Sequence, residues 1–441
     1  MNEYYNPDPY RNSNGQNVNP DHQPQNDAYR GSNAYQQPGG NAGYTHGDTP
    51  YNHSNPQYHA QQPGGGYPPY QNGYQQYSNG YPPYQNGYQQ YSNGYSPYYN
   101  NGNAQYQPGY NNQEYYRQNL YYQAKAKEER REIRKIGNMM GLCVIAFIAV
   151  QLISSALLLS NDALYDLYST SSVFQNSFGI IFVELLAVAA PFGVMALINK
   201  NKYETPLIPN QRLKFSSLCL WVGFGMLCCV AADYIVAFMM TVSESMGYEL
   251  TQSENPDPEN AFACIITALA TAVVPAVCEE FAMRCCSLGL LKKYGKALGV
   301  VGVSLVFGLL HGNLIQFVFA TLVGLILGFV TVKTDSVVPA VLIHAFNNGM
   351  SVLTLIVEYC FGTDASNYSG TAVFVFWIVV GIVSTVILAV KHQLSFKLDA
   401  PQTTPFGNTT AKKLGAFLSS PVLILSSLYL IFSVLLSIQK V

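Results

Sequence analysis

Hydrophobic and polar positions divide the chain into two unlike parts. From Met1 to Asn119 polar residues run on without any apolar period, whereas from about Gly141 to Ile438 long apolar stretches alternate with short polar ones. A helix needs ~20 apolar residues to cross a hydrocarbon core ~30 Å thick. Nine stretches approach that length: 138–160, 178–198, 215–240, 262–290, 297–312, 314–332, 336–357, 371–390 and 414–438. They predict an all-α fold, a polytopic membrane bundle of eight or nine transmembrane helices. The count depends on whether the short 297–312 segment crosses or re-enters, since irregular backbone at membrane depth is tolerated only inside protein.

Basic residues orient the bundle. A segment at 120–136 carries Lys125, Lys127, Arg130, Arg131, Arg134 and Lys135 just before the first crossing, and the positive-inside rule then keeps the N-terminus cytoplasmic. The loops obey the same rule. Segments expected outside, 161–177, 241–260 and 358–370, hold no Lys or Arg, while those expected inside carry Lys200, Lys202, Arg212 and Lys214, then Lys292, Lys293 and Lys296, then Lys333, then Lys391, Lys397, Lys412 and Lys413. Lys440 alone falls on the outer side. The membrane domain is thus 137–441, a multi-pass protein with the lipid bilayer as its solvent. The chain opens on polar residues, so the first membrane helix is expected to direct insertion.

Composition settles the N-terminal part. Residues 1–119 contain no Leu, Ile, Phe, Trp or Cys, one Val and 23 of the 34 tyrosines, a content that cannot build an aliphatic core. A disordered cytoplasmic tail rich in Tyr, Gln, Asn, Gly and Pro is expected there. Its 14-residue unit Tyr67–Gly80 recurs as Tyr81–Gly94, too short a period for a packed solenoid, which leaves a solvated spacer or a segment binding cytoplasmic partners. The net charge of −2 gives no footprint for nucleic acid. The nine cysteines show no Cys-x-x-Cys spacing and read as small buried hydrophobes.

Chemistry resides in the ionisable groups at membrane depth, where each is a functional candidate by default because its burial in hydrocarbon is costly. Glu279, Glu280 and Arg284 fall in the fourth stretch, Phe307 and His311 in the fifth, His344 and Asn348 in the seventh. Glu280 and Arg284 are four residues apart, on one helical face and placed to pair, while Glu279 points about 100° away. Glu280 is therefore the structural partner and Glu279 the free carboxylate. His344 and Asn348, and likewise Phe307 and His311, share a face by the same spacing. At ~1.5 Å per residue from the cytoplasmic helix ends, Glu279 lies roughly 18 Å deep, His311 roughly 21 Å and His344 roughly 12 Å. A carboxylate, two imidazoles and a carboxamide meeting there could activate water and hold an oxyanion, as peptide hydrolysis requires. Glu279, His311 and His344 also compose a His₂Glu zinc set with an open position, so a metal-free and a zinc-bound site both remain open.

The three groups resemble the CAAX protease and bacteriocin-processing family, also called CPBP or Abi. Its pattern is Glu-Glu-x-x-x-Arg, Phe-x-x-x-His and His-x-x-x-Asn on separate membrane helices, complete and in order here. Gly324-Leu-Ile-Leu-Gly328 and Thr334-Asp-Ser-Val-Val-Pro339 also look like the family, and the likeness covers about 262–350. The resemblance implies an intramembrane glutamate protease of the type 2 CAAX class, without a cofactor, acting on a membrane-associated protein or peptide near its C-terminus, lipidated in the eukaryotic relatives. It implies that Glu279 activates water with His311, that His344 and Asn348 form the oxyanion hole, and that Glu280, Arg284 and Phe307 give structural support. Two other classes compete: a non-catalytic immunity or binding protein keeping the same residues, and a proton-coupled transporter using the lone acids Glu184 and Asp233. No inverted repeat supports the transporter.

Overall fold

The computed structural model describes residues 111–204, 206–251, 256–398 and 407–440. Residues 1–110, where most of the expected disordered tail falls, lie outside the described residues. Its last stretch is helical instead: α1 runs unbroken over Asn111–Leu159, so residues 111–119 and the basic 120–136 segment continue the first membrane helix. Ala126, Ile133 and Ile136 are buried on one side of this extension, and that apolar side is what propagates the helix beyond the membrane.

A short helix α2 (Asp162–Thr170) leads to α3 (Ser172–Ile198). Then follow α4 (Phe215–Ser245), strand β1 (Tyr248–Leu250), α5 (Ala261–Tyr294), α6 (Lys296–Leu310), α7 (Leu314–Thr334), α8 (Val338–Phe361) and α9 (Thr363–Val390). Helices α10 (Thr410–Leu418) and α11 (Pro421–Leu436) and strand β2 (Ile438–Lys440) complete the described chain. Seven of these helices are long and apolar enough to cross a membrane, or eight if α10 and α11 count as one.

Two expectations change in detail. Helix α6 has 15 residues, about 22 Å of rise and too short for the hydrocarbon core, so α6 and α7 form a hairpin with its turn at 311–313. The expected last crossing, 414–438, bends by 73° between α10 and α11. Pro421 at the first turn of α11 has no N–H to continue a helix from α10 and a φ suited to starting a new one.

The lysine-bearing ends gather at one end of the bundle. Lys293 Nζ donates to the Lys202 carbonyl at 3.0 Å, Lys292 stands 3.9 Å from Asp335, Lys333 Nζ donates to the Lys397 carbonyl at 2.8 Å, and Lys413 pairs with Glu129 at 2.9 Å. The lysine-poor end is tied separately. There β1 pairs antiparallel with β2, Ser433 Oγ donates to the Gly312 carbonyl at 2.9 Å, and the Leu314 N–H donates to Ser437 Oγ at 3.0 Å.

Two apolar clusters fill the interior. One joins α1, α3, α5, α6, α10 and α11 around Met140, Phe192, Leu291 and Phe417. The other packs Trp221 and Phe224 of α4 against Phe329 of α7 and Ile343 of α8. Outward faces carry large apolar side chains such as Phe238, Val379 and Leu428, the dress of a lipid-facing surface. Close packing of α1 on α11 rests on a Gly-x-x-x-Gly spacing, Gly137 and Gly141, the small-residue pattern by which membrane helices approach one another. A Cβ on Gly141 would stand 2.5 Å from the Leu423 nitrogen.

Gly141→Ala is accordingly expected to lower stability by about 1–3 kcal/mol through overpacking, read as a fall in the thermal midpoint in detergent. Ala149→Leu, on the exposed face of the same helix, should leave the midpoint unchanged, and equal effects would show that this contact does not hold α11.

Candidate active site

Local helix geometry presents the site. Glu279 and Glu280 close a short α-helical run, Val274–Glu280, set between π-helical stretches at Leu269–Val273 and Phe281–Leu288. Wide turns of this kind occur mostly at functional sites, because they reposition side chains within a continuous helix. Within the α-helical run the two carboxylates keep their angular offset. Glu280 is fully buried and Glu279 keeps 16% exposure, so the first faces the packed interior and the second faces a cavity.

Glu280 is the hub of a buried ionic cluster. Its Oε2 lies 3.0 Å from Arg284 Nε, the pairing that the spacing predicts, and its Oε1 lies 3.0 Å from His344 Nδ1, a contact the spacing could not reveal. Arg284 also reaches the Gly324 carbonyl with Nη2 at 3.4 Å and lies over the Phe307 ring, 5.1 Å from its centroid. Gly324 also lets α7 lie close against α6, since a Cβ there would stand 3.1 Å from the Ser304 side chain and 3.2 Å from the Phe307 ring. One ionic cluster thus ties α5 to α7 and α8.

The two histidines are held differently. His311 follows the last turn of α6, and its Nδ1 is 2.9 Å from the Phe307 carbonyl. A carbonyl only accepts, so Nδ1 carries the proton and Nε2 keeps a free lone pair. Phe307 meets the His311 ring edge-on, centroids 5.1 Å apart and planes at 90°, rather than face to face. His344 donates Nδ1–H to Glu280, and its Nε2 stands 3.6 Å from Glu279 Oε2, beyond direct hydrogen bonding. Asn348 Nδ2 donates to the Thr271 carbonyl at 3.0 Å. Pro275, four residues after Thr271, has no N–H, so that carbonyl lacks its α-helical donor and is available to orient the carboxamide.

Glu279, Phe307, His311, His344 and Asn348 line one cavity of about 500 Å³, together with Asp233 of α4 and Thr271. Because basic loops anchor the helices that carry these residues, the sequence predicts a site open toward the cytoplasm or the inner leaflet. The cavity instead extends from mid-bundle toward the lysine-poor end, reaching Met240 and Ser351. The other half is filled: Leu288, Leu290, Leu291 and Leu298 are all at most 2% exposed. Of the two lone acids, Asp233 belongs to the cavity wall, while Glu184 is buried in the π-helical part of α3. The alternative zinc residues Glu279, His311 and His344 face the cavity together, but among the described residues no group of three or more His, Cys, Asp or Glu is arranged to hold a metal ion.

Residues 261–350 match the family model described as type II CAAX prenyl endopeptidase Rce1-like. This segment, about a fifth of the chain, is similar to a CAAX protease core. This core spans α5 to the middle of α8 and contains every residue of the three motifs, whereas Glu184 and Asp233 lie outside the match. No curated protein and no solved structure matches the chain.

Loss of the ionic cluster should show directly in stability. Removing one member of a buried pair strands the other charge, at a cost of about 3–5 kcal/mol, so Arg284→Met should sharply reduce the yield of monodisperse protein in size-exclusion chromatography. Glu280→Gln combined with Arg284→Met removes both charges and should restore part of that yield. A double variant no better than Arg284→Met would refute the pairing as the source of the loss.

Proposed function

We propose that the protein is an intramembrane endopeptidase that hydrolyses a peptide bond near the C-terminus of a membrane-associated protein or peptide, using water activated by Glu279. The observation carrying this reading is that the Glu279 carboxylate and the unprotonated Nε2 side of His311 belong to the same cavity wall. The family description names a prenyl endopeptidase, so a prenylated C-terminal segment is the first substrate to test. By the positive-inside rule the lysine-rich end and the N-terminus face the cytoplasm.

In the proposed reaction a water molecule lies between Glu279 and His311. Glu279 takes its proton as the oxygen attacks the scissile carbonyl carbon, and His311 Nε2 accepts the second water hydrogen as a hydrogen bond, which orients the attack. The carbonyl oxygen becomes an oxyanion, for which Asn348 Nδ2 supplies its second N–H, the first being held by Thr271. His344, when both its nitrogens carry protons, adds Nε2–H while Nδ1–H stays on Glu280. Collapse of the tetrahedral carbon breaks the C–N bond, and the proton on Glu279 passes to the leaving amine. The products are a carboxylic acid, which still carries the second water hydrogen, and a free amine; passage of that hydrogen to the amine leaves a carboxylate and an ammonium, with no proton lost. Glu280 and Arg284 act by holding His344 and Phe307 in place.

The deciding measurement compares new peptide termini in membranes holding wild type and Glu279→Ala at matched, folded levels. General-base loss is expected to lower turnover by about 10²–10⁴-fold, so termini should appear only with wild type. Proteolysis surviving in Glu279→Ala would overturn this mechanism. Absence of new termini with both proteins inserted would leave the binding or immunity role as the better account.

A further inference from the structure

Hydrolysis consumes one water per turnover, and a peptide lodged in the 500 Å³ cavity would shut that cavity to solvent while lipid surrounds the rest. His311 has open space on its other side as well. A second cavity of about 500 Å³ sits at the lysine-poor end, between α1, the 311–313 turn and α11, with polar walls from Gln151, Thr251, Asn313, Ser433 and Ser437. A smaller space of about 200 Å³ continues inward from it, sharing Phe147, Gln151, Leu310 and His311, and reaches Glu279. Among the described residues that line this inner space, only Gln151, Glu279 and His311 carry side-chain nitrogen or oxygen.

We propose that hydrolytic water reaches Glu279 by a route of its own, through this polar vestibule, with Gln151 as the positioning residue at its neck. The inference rests on the hydrolase reading above. An internal water needs two to four polar partners and about one probe sphere of room, and the neck supplies both: three polar side chains and space for several molecules. Gln151 is half-buried and is the only one of the three from α1, outside the 261–350 family match. The remaining walls of the neck, such as Val183, Met283 and Phe307, bind no water, so a molecule passing inward is handed from the Gln151 carboxamide to His311 and Glu279. The substrate cavity shares Glu279, Phe307 and His311 with the neck but neither Gln151 nor Phe147. Water and peptide therefore meet at Glu279 from opposite sides of the Phe307–His311 pair.

Two measurements on the full-length chain in sealed membrane vesicles test this. A membrane-impermeant maleimide applied to the lysine-poor side should label Ser433→Cys made in a Cys360→Ser background, which removes the exposed cysteine of that end, at least about fivefold above Cys360→Ser alone; labelling equal to that background overturns the vestibule whether or not the protein is a protease. Gln151→Leu should lower kcat about tenfold or more with KM within twofold, and Gln151→Asn should recover part of kcat. Ser433→Phe, which plugs the vestibule away from the neck, should reproduce the kcat loss even if Gln151→Leu fails to insert. Unchanged kcat in these variants, or a loss confined to KM, would overturn the route. Labelling of Ser433→Cys without any proteolysis by wild type would instead count against the hydrolase reading and leave the vestibule standing.

Discussion

A carboxylate held without water at the centre of a bilayer must be answered by charge, and the Glu280 carboxylate is answered twice. Arg284 meets one oxygen and His344 the other, both at 3.0 Å. Because these partners come from α5 and α8, and Arg284 continues to the α7 backbone and the Phe307 ring of α6, four helices acquire a fixed relation. Dispersion packing alone leaves membrane helices free to slide, since lipid competes equally for apolar surface. An ionic cluster with no solvent to replace it does not slide. The distance from Glu279 to His344 and the setting of Phe307 behind His311 both follow from this anchor.

Around that anchor the backbone is irregular where the chemistry needs it to be. Pro275 withholds a donor from the Thr271 carbonyl, and Asn348 Nδ2 donates there in its place, which fixes the carboxamide. Between two π-helical stretches, the α-helical run Val274–Glu280 keeps its adjacent glutamates about 100° apart, one inside the packed protein and one at a cavity. His311 sits just past the end of a helix too short to span, where its ring can fold back onto the Phe307 carbonyl. A regular crossing would have held that ring against a neighbouring helix.

Most of the helices and the pairing of Glu280 with Arg284 were legible because hydropathy and i, i+4 spacing are properties of a single segment. The lysine count foretold which helix ends would gather, and the contacts among Lys202, Lys292, Lys293 and Asp335 follow it. The shared use of Glu280 by His344 was not legible, since it joins residues 64 apart in sequence and no local pattern encodes that register. The cavity's direction was misread for a related reason. Basic loops tell where a helix end lies, but the filling of the inner half by Leu288, Leu290, Leu291 and Leu298 is set by how helices pack. Gln151 had no signal beyond being polar in an apolar stretch, and the helical state of 111–119 was hidden by a composition that resembles the residues before it.

Helix α1 has a mechanical consequence. Its 49 residues rise about 74 Å, more than twice the hydrocarbon thickness, and it is unbroken from its exposed start to the side chains of Phe147 and Gln151. Contacts with Asn408 and Lys413 hold it near Ala126 and Glu129, and Gly137 and Gly141 seat it on α10 and α11. One rigid element therefore joins the basic segment outside the hydrocarbon to the wall of the space beside His311.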